Sequence, residues 1–184
     1  MALVSERLID DHAGVDQVLK RLQTALRNSD VKSVGTKLDL FWARLAVHIR
    51  AEHLHLFPAV LSSFEDGQVS DASTPTFEEA QTIIAQLRDD HDFFMHELAR
   101  AVEIVRQLTT SQPAALADGL ADVRNTLLQV EQRLARHNEV EENQIYRWVT
   151  MLLNSVEQEK LVERITKELR KHPQRFTEAT WSHE

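Results

Sequence analysis

Apolar residues recur at alternating spacings of three and four along most of the chain, a pattern typical of helices that bury one face. Turn-forming residues interrupt this pattern at 28–30, 62–76, 109–113 and 153–155. The pattern therefore predicts five helices, at 5–27, 31–61, 76–108, 114–150 and 155–171. Two of the predicted starts have the spacing of a capping box, Thr76 with Glu79 and Ser155 with Gln158.

The four long helices predict an all-α fold, an up-down-up-down antiparallel four-helix bundle with an additional C-terminal helix. We expect a single domain over residues 1–171, with its core in 5–152 and the extra helix at 155–171. The tail 172–184 has no helical period, and we expect it to pack loosely or to be mobile despite Trp181.

Each of the four long helices carries a histidine on its apolar stripe, and in two of them a glutamate follows one turn later. These residues are His12, His48, Glu52, His91, His137 and Glu141. The triplet Asp-Asp-His occurs at 10–12 and at 89–91, and each copy is followed on the next helix by His-x-x-x-Glu. This repeat predicts a bundle made of two similar helical hairpins.

The six polar residues are expected to meet inside the bundle. His12 and His48 lie at similar distances from the turn between their helices, whereas His91 and His137 differ by roughly one to two turns, which an irregular loop would absorb. Burying unpaired carboxylates costs on the order of several kcal/mol each, and the stripes carry no Lys or Arg at that level. A metal centre would supply the missing positive charge.

The donor types narrow the choice of metal. Imidazole combined with carboxylate at high coordination number suits iron or manganese better than zinc, which prefers four ligands, or calcium, which prefers oxygen. If Glu52 and Glu141 each bridge two ions, positions remain open even with an oxo or hydroxo bridge present. Such positions would accept water, dioxygen, nitric oxide or peroxide.

Charge and composition exclude several other classes of function. The 184-residue chain has a formal net charge of −8, which disfavours nucleic acid and anionic membranes as partners. It has no cysteine, so disulfides, zinc fingers and iron–sulfur clusters are excluded. It also has no apolar run of membrane-spanning length and no apolar core typical of a signal peptide near its N-terminus, so we expect a cytoplasmic protein.

The complete set of motifs resembles the HHE cation-binding domain of the haemerythrin-like family. That pattern is a lone histidine and then His-x-x-x-Glu followed by a Leu-Phe-Pro-like run, repeated once. Here His48-x-x-x-Glu52 precedes Leu-Phe-Pro at 56–58, and His137-x-x-x-Glu141 precedes Ile-Tyr at 145–146. The resemblance runs from His12 to Trp148.

The resemblance implies a haemerythrin-like domain over 1–171 with a non-haem di-iron centre, in which carboxylates and an oxo or hydroxo group bridge two iron ions. It implies as ligands the six residues His12, His48, Glu52, His91, His137 and Glu141. The implied function is binding of dioxygen or a related small ligand, with decomposition of hydrogen peroxide as one activity. The alternative is a module that binds or senses iron, oxygen or nitric oxide without catalysis, and the chain is expected to be a monomer or a homodimer.

Three positions depart from the family pattern. Arg147 stands where the second copy would have proline, and His53 replaces the second glutamate often found after the motif. Met95 stands where oxygen-carrying haemerythrins have a further histidine, which argues against reversible oxygen carriage. A ferritin-like centre is disfavoured because that class needs two Glu-x-x-His motifs and only the one starting at Glu52 is present.

Residues around the six candidates allow more than one interpretation. Asp11 and Asp90 could orient the imidazoles or only interact favourably with the helix dipole. His55 could support the centre or act as an alternative ligand. Tyr146 could approach an open metal position, although its offset of five from Glu141 places it off the stripe. The remaining residues are interpreted as lying outside the centre: His53, His96, His172 and His183 as non-ligands, and Trp42 and Trp148 as packing residues.

Overall fold

The computed structural model describes residues 3–64, 74–108, 113–177 and 181, and all regular structure within them is helical. The helices are α1 Val4–Arg27, α2 Val31–Ala51, α3 Phe57–Ser62, α4 Phe77–Leu108, α5 Pro113–Val140, α6 Tyr146–Leu152 and α7 Ser155–Leu169. Two π-helical turns, Glu52–Leu56 and Glu141–Ile145, join α2 to α3 and α5 to α6. The all-α prediction is confirmed for this part of the chain. Most of the predicted turns at 62–76 and 109–113, as well as His183, lie outside the described residues.

Side-chain caps explain where several helices begin. The Asp30 carboxylate accepts a hydrogen bond from the backbone N–H of Ser33 at the start of α2. The predicted Thr76–Glu79 capping box is present, with both reciprocal hydrogen bonds formed. The box predicted at Ser155 is wrong by one residue.

At the start of α7 the residue with extended backbone is Asn154, with φ −71° and ψ 170°. Its side-chain oxygen accepts hydrogen bonds from the backbone N–H groups of Val156 and Glu157. The backbone N–H of Asn154 in turn donates a hydrogen bond to the Glu157 carboxylate at 2.8 Å. The N-cap is therefore Asn154, because its backbone is extended and the helical conformation begins only at Ser155.

The long helices contact one another in a ring, in which α1 lies against α2, α2 against α4, α4 against α5 and α5 against α1. Their apolar stripes meet in one core. Among its fully buried members are Leu8, Leu22, Leu38, Phe41, Leu87, Phe94 and Leu98. This apolar packing surrounds the level at which the polar residues of the stripes lie.

The chain after α7 returns to the helices. Phe176 and Trp181 are each only 8% exposed. The Trp181 indole N–H donates to the carbonyl oxygen of Leu169 at 3.3 Å, and Arg44 donates to the carbonyl oxygen of Trp181 at 3.0 Å. The expectation of a loosely packed tail is therefore wrong at these two residues, because tertiary burial orders a segment that has no helical period of its own.

Across the described ranges, no helix combines the length and the apolar character needed to cross a membrane.

Candidate metal centre

Six polar side chains meet at one level inside the ring of helices. They come from α1, α2 and its π-helical turn, α4, and α5 and its π-helical turn, and none is more than 6% exposed. They are His12, His48, Glu52, His91, His137 and Glu141. The structure thus brings together the whole set that the sequence predicted. His91 and His137, whose heights along the bundle were expected to differ, lie at the same level, with their Nε2 atoms 3.1 Å apart.

The first group of donor atoms joins α1 and α2. The Nε2 atoms of His12 and His48 are 3.2 Å apart. His48 Nε2 lies 2.9 Å from Oε1 of Glu52, and His12 Nε2 lies 3.4 Å from Oε2 of Glu141. These four residues offer ligand atoms that lie within 4.8 Å of one another.

The second group repeats this arrangement between α4 and α5. The Nε2 atom of His91 lies 3.2 Å from Oε2 of Glu52, and that of His137 lies 3.2 Å from Oε1 of Glu141. Each glutamate therefore directs one oxygen toward each histidine pair. Two carboxylates placed in this way are suited to bridging two cations.

The spacing of the donor atoms fits metal ligands. Adjacent ligands that each lie about 2.1 Å from an octahedral ion are about 3 Å apart, and the separations here run from 2.9 to 3.4 Å. Both oxygens of Glu52 and Oε1 of Glu141 are buried and accept no hydrogen bond, and the nitrogens in contact with them are those of the imidazoles, at 2.9–3.2 Å. Buried carboxylate oxygens without donors are costly unless cations occupy the space between them.

Aspartates contact two of the outer imidazole nitrogens, that is, the Nδ1 atoms on the side of the ring away from the centre. Asp11 Oδ2 lies 2.9 Å from Nδ1 of His48, and Asp90 Oδ2 lies 3.2 Å from Nδ1 of His137. An acceptor at Nδ1 fixes the tautomer that leaves Nε2 available to a metal. Of the two interpretations of these aspartates, orientation of the imidazoles is the one that the contacts support.

The other two outer nitrogens have partners that the sequence interpretation missed. His53 Nε2 lies 2.8 Å from Nδ1 of His91, and Glu142 Oε1 lies 3.2 Å from Nδ1 of His12. The interpretation of His53 as remote from the centre is therefore wrong. It assumed 3.6 residues per turn, whereas Glu52 begins a π-helical turn that rotates the residues after it.

Tyr146 also lies at the centre, for the same reason. The turn Glu141–Ile145 inserts one residue into the helix, so an offset of five returns to the buried face. The Tyr146 hydroxyl lies 3.2 Å from His12 Nε2 and donates to Oε2 of Glu141 at 3.4 Å. Burial and the charge of Glu141 raise the pKa of Tyr146 well above its usual value, so the hydroxyl keeps its proton.

Phe57 occupies the corresponding place in the other half of the centre. It follows Glu52 by five residues, is fully buried, and stacks on the His91 ring at 5.9 Å with an interplanar angle of 14°. The phenolic hydroxyl on the His12 side thus has an apolar ring as its counterpart on the His91 side.

His55 lies away from this centre. Its Nε2 atom is 3.7 Å from the Glu168 carboxylate, which also contacts Arg50 and Lys171. This cluster fastens α7 to the π-helical turn, so His55 contributes to helix packing. Of the other histidines interpreted as non-ligands, His96 is exposed.

The pKa values of two histidines at the centre, His48 and His137, are raised by their carboxylate neighbours. Burial lowers the pKa of His48, but the charge of Glu52 and the hydrogen bond to Asp11 outweigh burial and hold the pKa well above its usual range. Burial likewise opposes protonation of His137, yet the nearby Glu141 and Asp90 raise its pKa to about 10.

The pKa values of the two glutamates are shifted in the opposite direction, downward. Burial alone would raise the pKa of Glu52, but the charges of His48 and His91 hold it well below its usual range. Burial and the charge of Glu52 raise the pKa of Glu141, but its contacts with His137 and His12 outweigh them, so the pKa is lowered. Both glutamates are therefore anionic in the neutral pH range.

Metal loading is expected to release protons. His48 and His137 must lose a proton before Nε2 can bind a cation, so loading near pH 8 should release about two protons per chain. Affinity should then rise with pH as His137, with a pKa of about 10, and His48, whose pKa is also raised, lose their protons. Calorimetric titrations with Mn²⁺ in two buffers of different ionisation enthalpy measure this number, and an identical heat in both buffers would contradict it.

Comparisons with protein-family models, with curated proteins and with solved structures find no match for this chain. Its function must therefore be argued from the buried His and Glu side chains themselves.

Proposed function

We propose that this chain is a haemerythrin-like protein whose long helices alternate in direction and hold two iron ions between them. His12 and His48 would bind one ion, His91 and His137 the other, and the carboxylates of Glu52 and Glu141 would bridge both. The imidazole and carboxylate donors support iron or manganese over zinc or calcium.

The observation that carries this proposal is the placement of the two glutamates. Both are fully buried, and three of their four carboxylate oxygens accept no hydrogen bond. Among the described residues, their ion-pair contacts are all with the four histidines and none is with Lys or Arg. Two anionic groups so enclosed are stabilised best by cations bound between them.

Two iron ions bound in this way would supply binding and redox chemistry toward dioxygen, hydrogen peroxide or nitric oxide. The chain would contribute the surroundings. Tyr146 offers a protonated hydroxyl at the His12 side, and the buried ring of Phe57 covers the His91 ring on the other side. We infer a centre that binds a small oxygen ligand and converts two molecules of hydrogen peroxide into two of water and one of dioxygen.

The test is an iron-loaded sample whose ultraviolet–visible spectrum is followed while hydrogen peroxide is added and released oxygen is measured. Sustained oxygen release by wild type, with none from a Glu52→Gln variant, is the expected result. A spectral change without oxygen release would indicate that the protein is a binding or sensing module and not an enzyme. No spectral response at all would overturn the proposed function.

Replacing Tyr146 by phenylalanine should weaken anion binding at the centre without removing the iron. Phe57 shows that a phenyl ring fits the equivalent place, so the variant loses little beyond its hydroxyl. A hydrogen bond to a charged group contributes about 1.5–3 kcal/mol, which predicts an azide affinity about ten- to a hundredfold lower. Absorbance titration with azide measures the change. Equal affinity in Tyr146→Phe and wild type would remove Tyr146 from the ligand site.

A further inference from the structure

The two halves of the centre repeat the same positions with different residues. In each half an aspartate precedes the first histidine, and a π-helical turn begins at the glutamate of His-x-x-x-Glu. The second residue of each turn contacts a histidine of the opposite half. That residue is His53 in one turn and Glu142 in the other.

This difference gives the two histidine pairs unequal outer partners. His12 and His48 both have carboxylates at Nδ1, from Glu142 at 3.2 Å and Asp11 at 2.9 Å. In the other pair, His137 has a carboxylate from Asp90, but His91 has only the imidazole of His53. A carboxylate acceptor at Nδ1 makes the imidazole a stronger donor to a metal than an uncharged acceptor does.

The wider charge distribution adds to the same difference. Glu142 borders a groove of about 390 Å³ between α1 and α5 that also includes Asp16, Glu131 and Glu139. On the opposite side, the Arg88 guanidinium lies 5.9 Å from the centre of the Phe57 ring, which stacks on His91. The groove on the His12 side thus carries four carboxylates and one lysine, whereas on the His91 side the opposite charges of Arg88 and Asp92 both act on His53.

We propose that the two metal positions are unequal, that the His12–His48 position binds its ion more tightly, and that Glu142 and His53 are the positioning residues that set this difference. This inference rests on the proposed two-metal function. The Glu142 side chain is 40% exposed, so water screens its charge, and its effect acts through the contact with His12.

Stepwise binding of Mn²⁺ to the metal-free protein tests this proposal, because electron paramagnetic resonance distinguishes a single bound ion from a coupled pair. The Glu142→Gln variant should weaken the first, tighter step by about ten- to a hundredfold, as substitutions of such outer partners do. The His53→Ala variant should instead weaken the second step.

Glu139→Gln is the matched control, since it removes the same charge from the same groove. We expect both binding steps to be unchanged in this variant. An equal effect of Glu139→Gln and Glu142→Gln, or no effect of Glu142→Gln, would overturn the inequality while leaving the two-metal centre intact. Wild-type protein that binds neither Mn²⁺ nor iron would overturn the proposed function itself.

Discussion

Replacing Glu52 by glutamine is expected to remove both metal ions from the protein. Its two oxygens face different histidine pairs, at 2.9 Å from His48 and 3.2 Å from His91, so one substitution damages both positions. Glutamine has nearly the same shape but lacks the negative charge that two adjacent cations require. Metal analysis after iron loading should fall from about two ions per chain to nearly none.

Two further variants separate this effect from a general loss of stability. Glu168 is also buried, at 3% exposure, but it pairs with Arg50 and Lys171 away from the centre. The Glu168→Gln variant should therefore keep both ions. In contrast, His48→Ala affects the first position directly, and the second position keeps all four of its donors. Full iron content in Glu52→Gln would show that the glutamate is not a bridging ligand.

Metal loading is expected to raise the melting temperature strongly. A ligand that binds only the folded protein, at a free concentration of a thousand times its Kd, stabilises it by about 4 kcal/mol. For a chain of this size each kcal/mol corresponds to about 2–4 °C, so filling even one position predicts a rise of about 8–16 °C. The physical cause is that metal cations would interact more strongly with the two buried glutamates than the histidines in contact with them do. Calorimetric melting of the metal-free and iron-loaded protein measures the shift.

The Glu52→Gln variant provides the control for this melting experiment. Because it should not bind the ions, its melting temperature should be the same with and without iron. A chelator should return the wild type to its metal-free value. A wild-type melting temperature that does not respond to iron would contradict a buried centre, since binding there requires the folded bundle.

The helices and the six candidate ligands could be predicted because both depend on one regular signal. A period of 3.6 residues defines the buried stripe, and polar residues on that stripe stand out against the apolar ones. His48 and Glu52, four residues apart, therefore share one face as expected. The contacts that join the two hairpins at one height were not visible, because His53 and Glu142 contact histidines of the opposite hairpin.

The π-helical turns account for the main errors about the site. Each inserts one residue without a distinctive composition, so a count based on 3.6 residues per turn fails after Glu52 and after Glu141. Leu56 and Phe57 are both fully buried, which a regular helix would not place on one narrow stripe. The same shift brings Tyr146 to the centre.

The tail illustrates a different limit. Phe176 and Trp181 have no periodic pattern around them, and their burial depends on α7 and on Arg44 of α2. Contacts between segments distant in sequence carry no local signal. Such packing becomes visible only when the helices have been placed.

Anomalous diffraction at the iron edge from crystals of the iron-loaded protein would show whether the six buried residues hold two iron ions. We expect two anomalous peaks, one beside His12 and His48 and the other beside His91 and His137, with the carboxylates of Glu52 and Glu141 between them. A single peak, or none among these residues, would contradict this expectation.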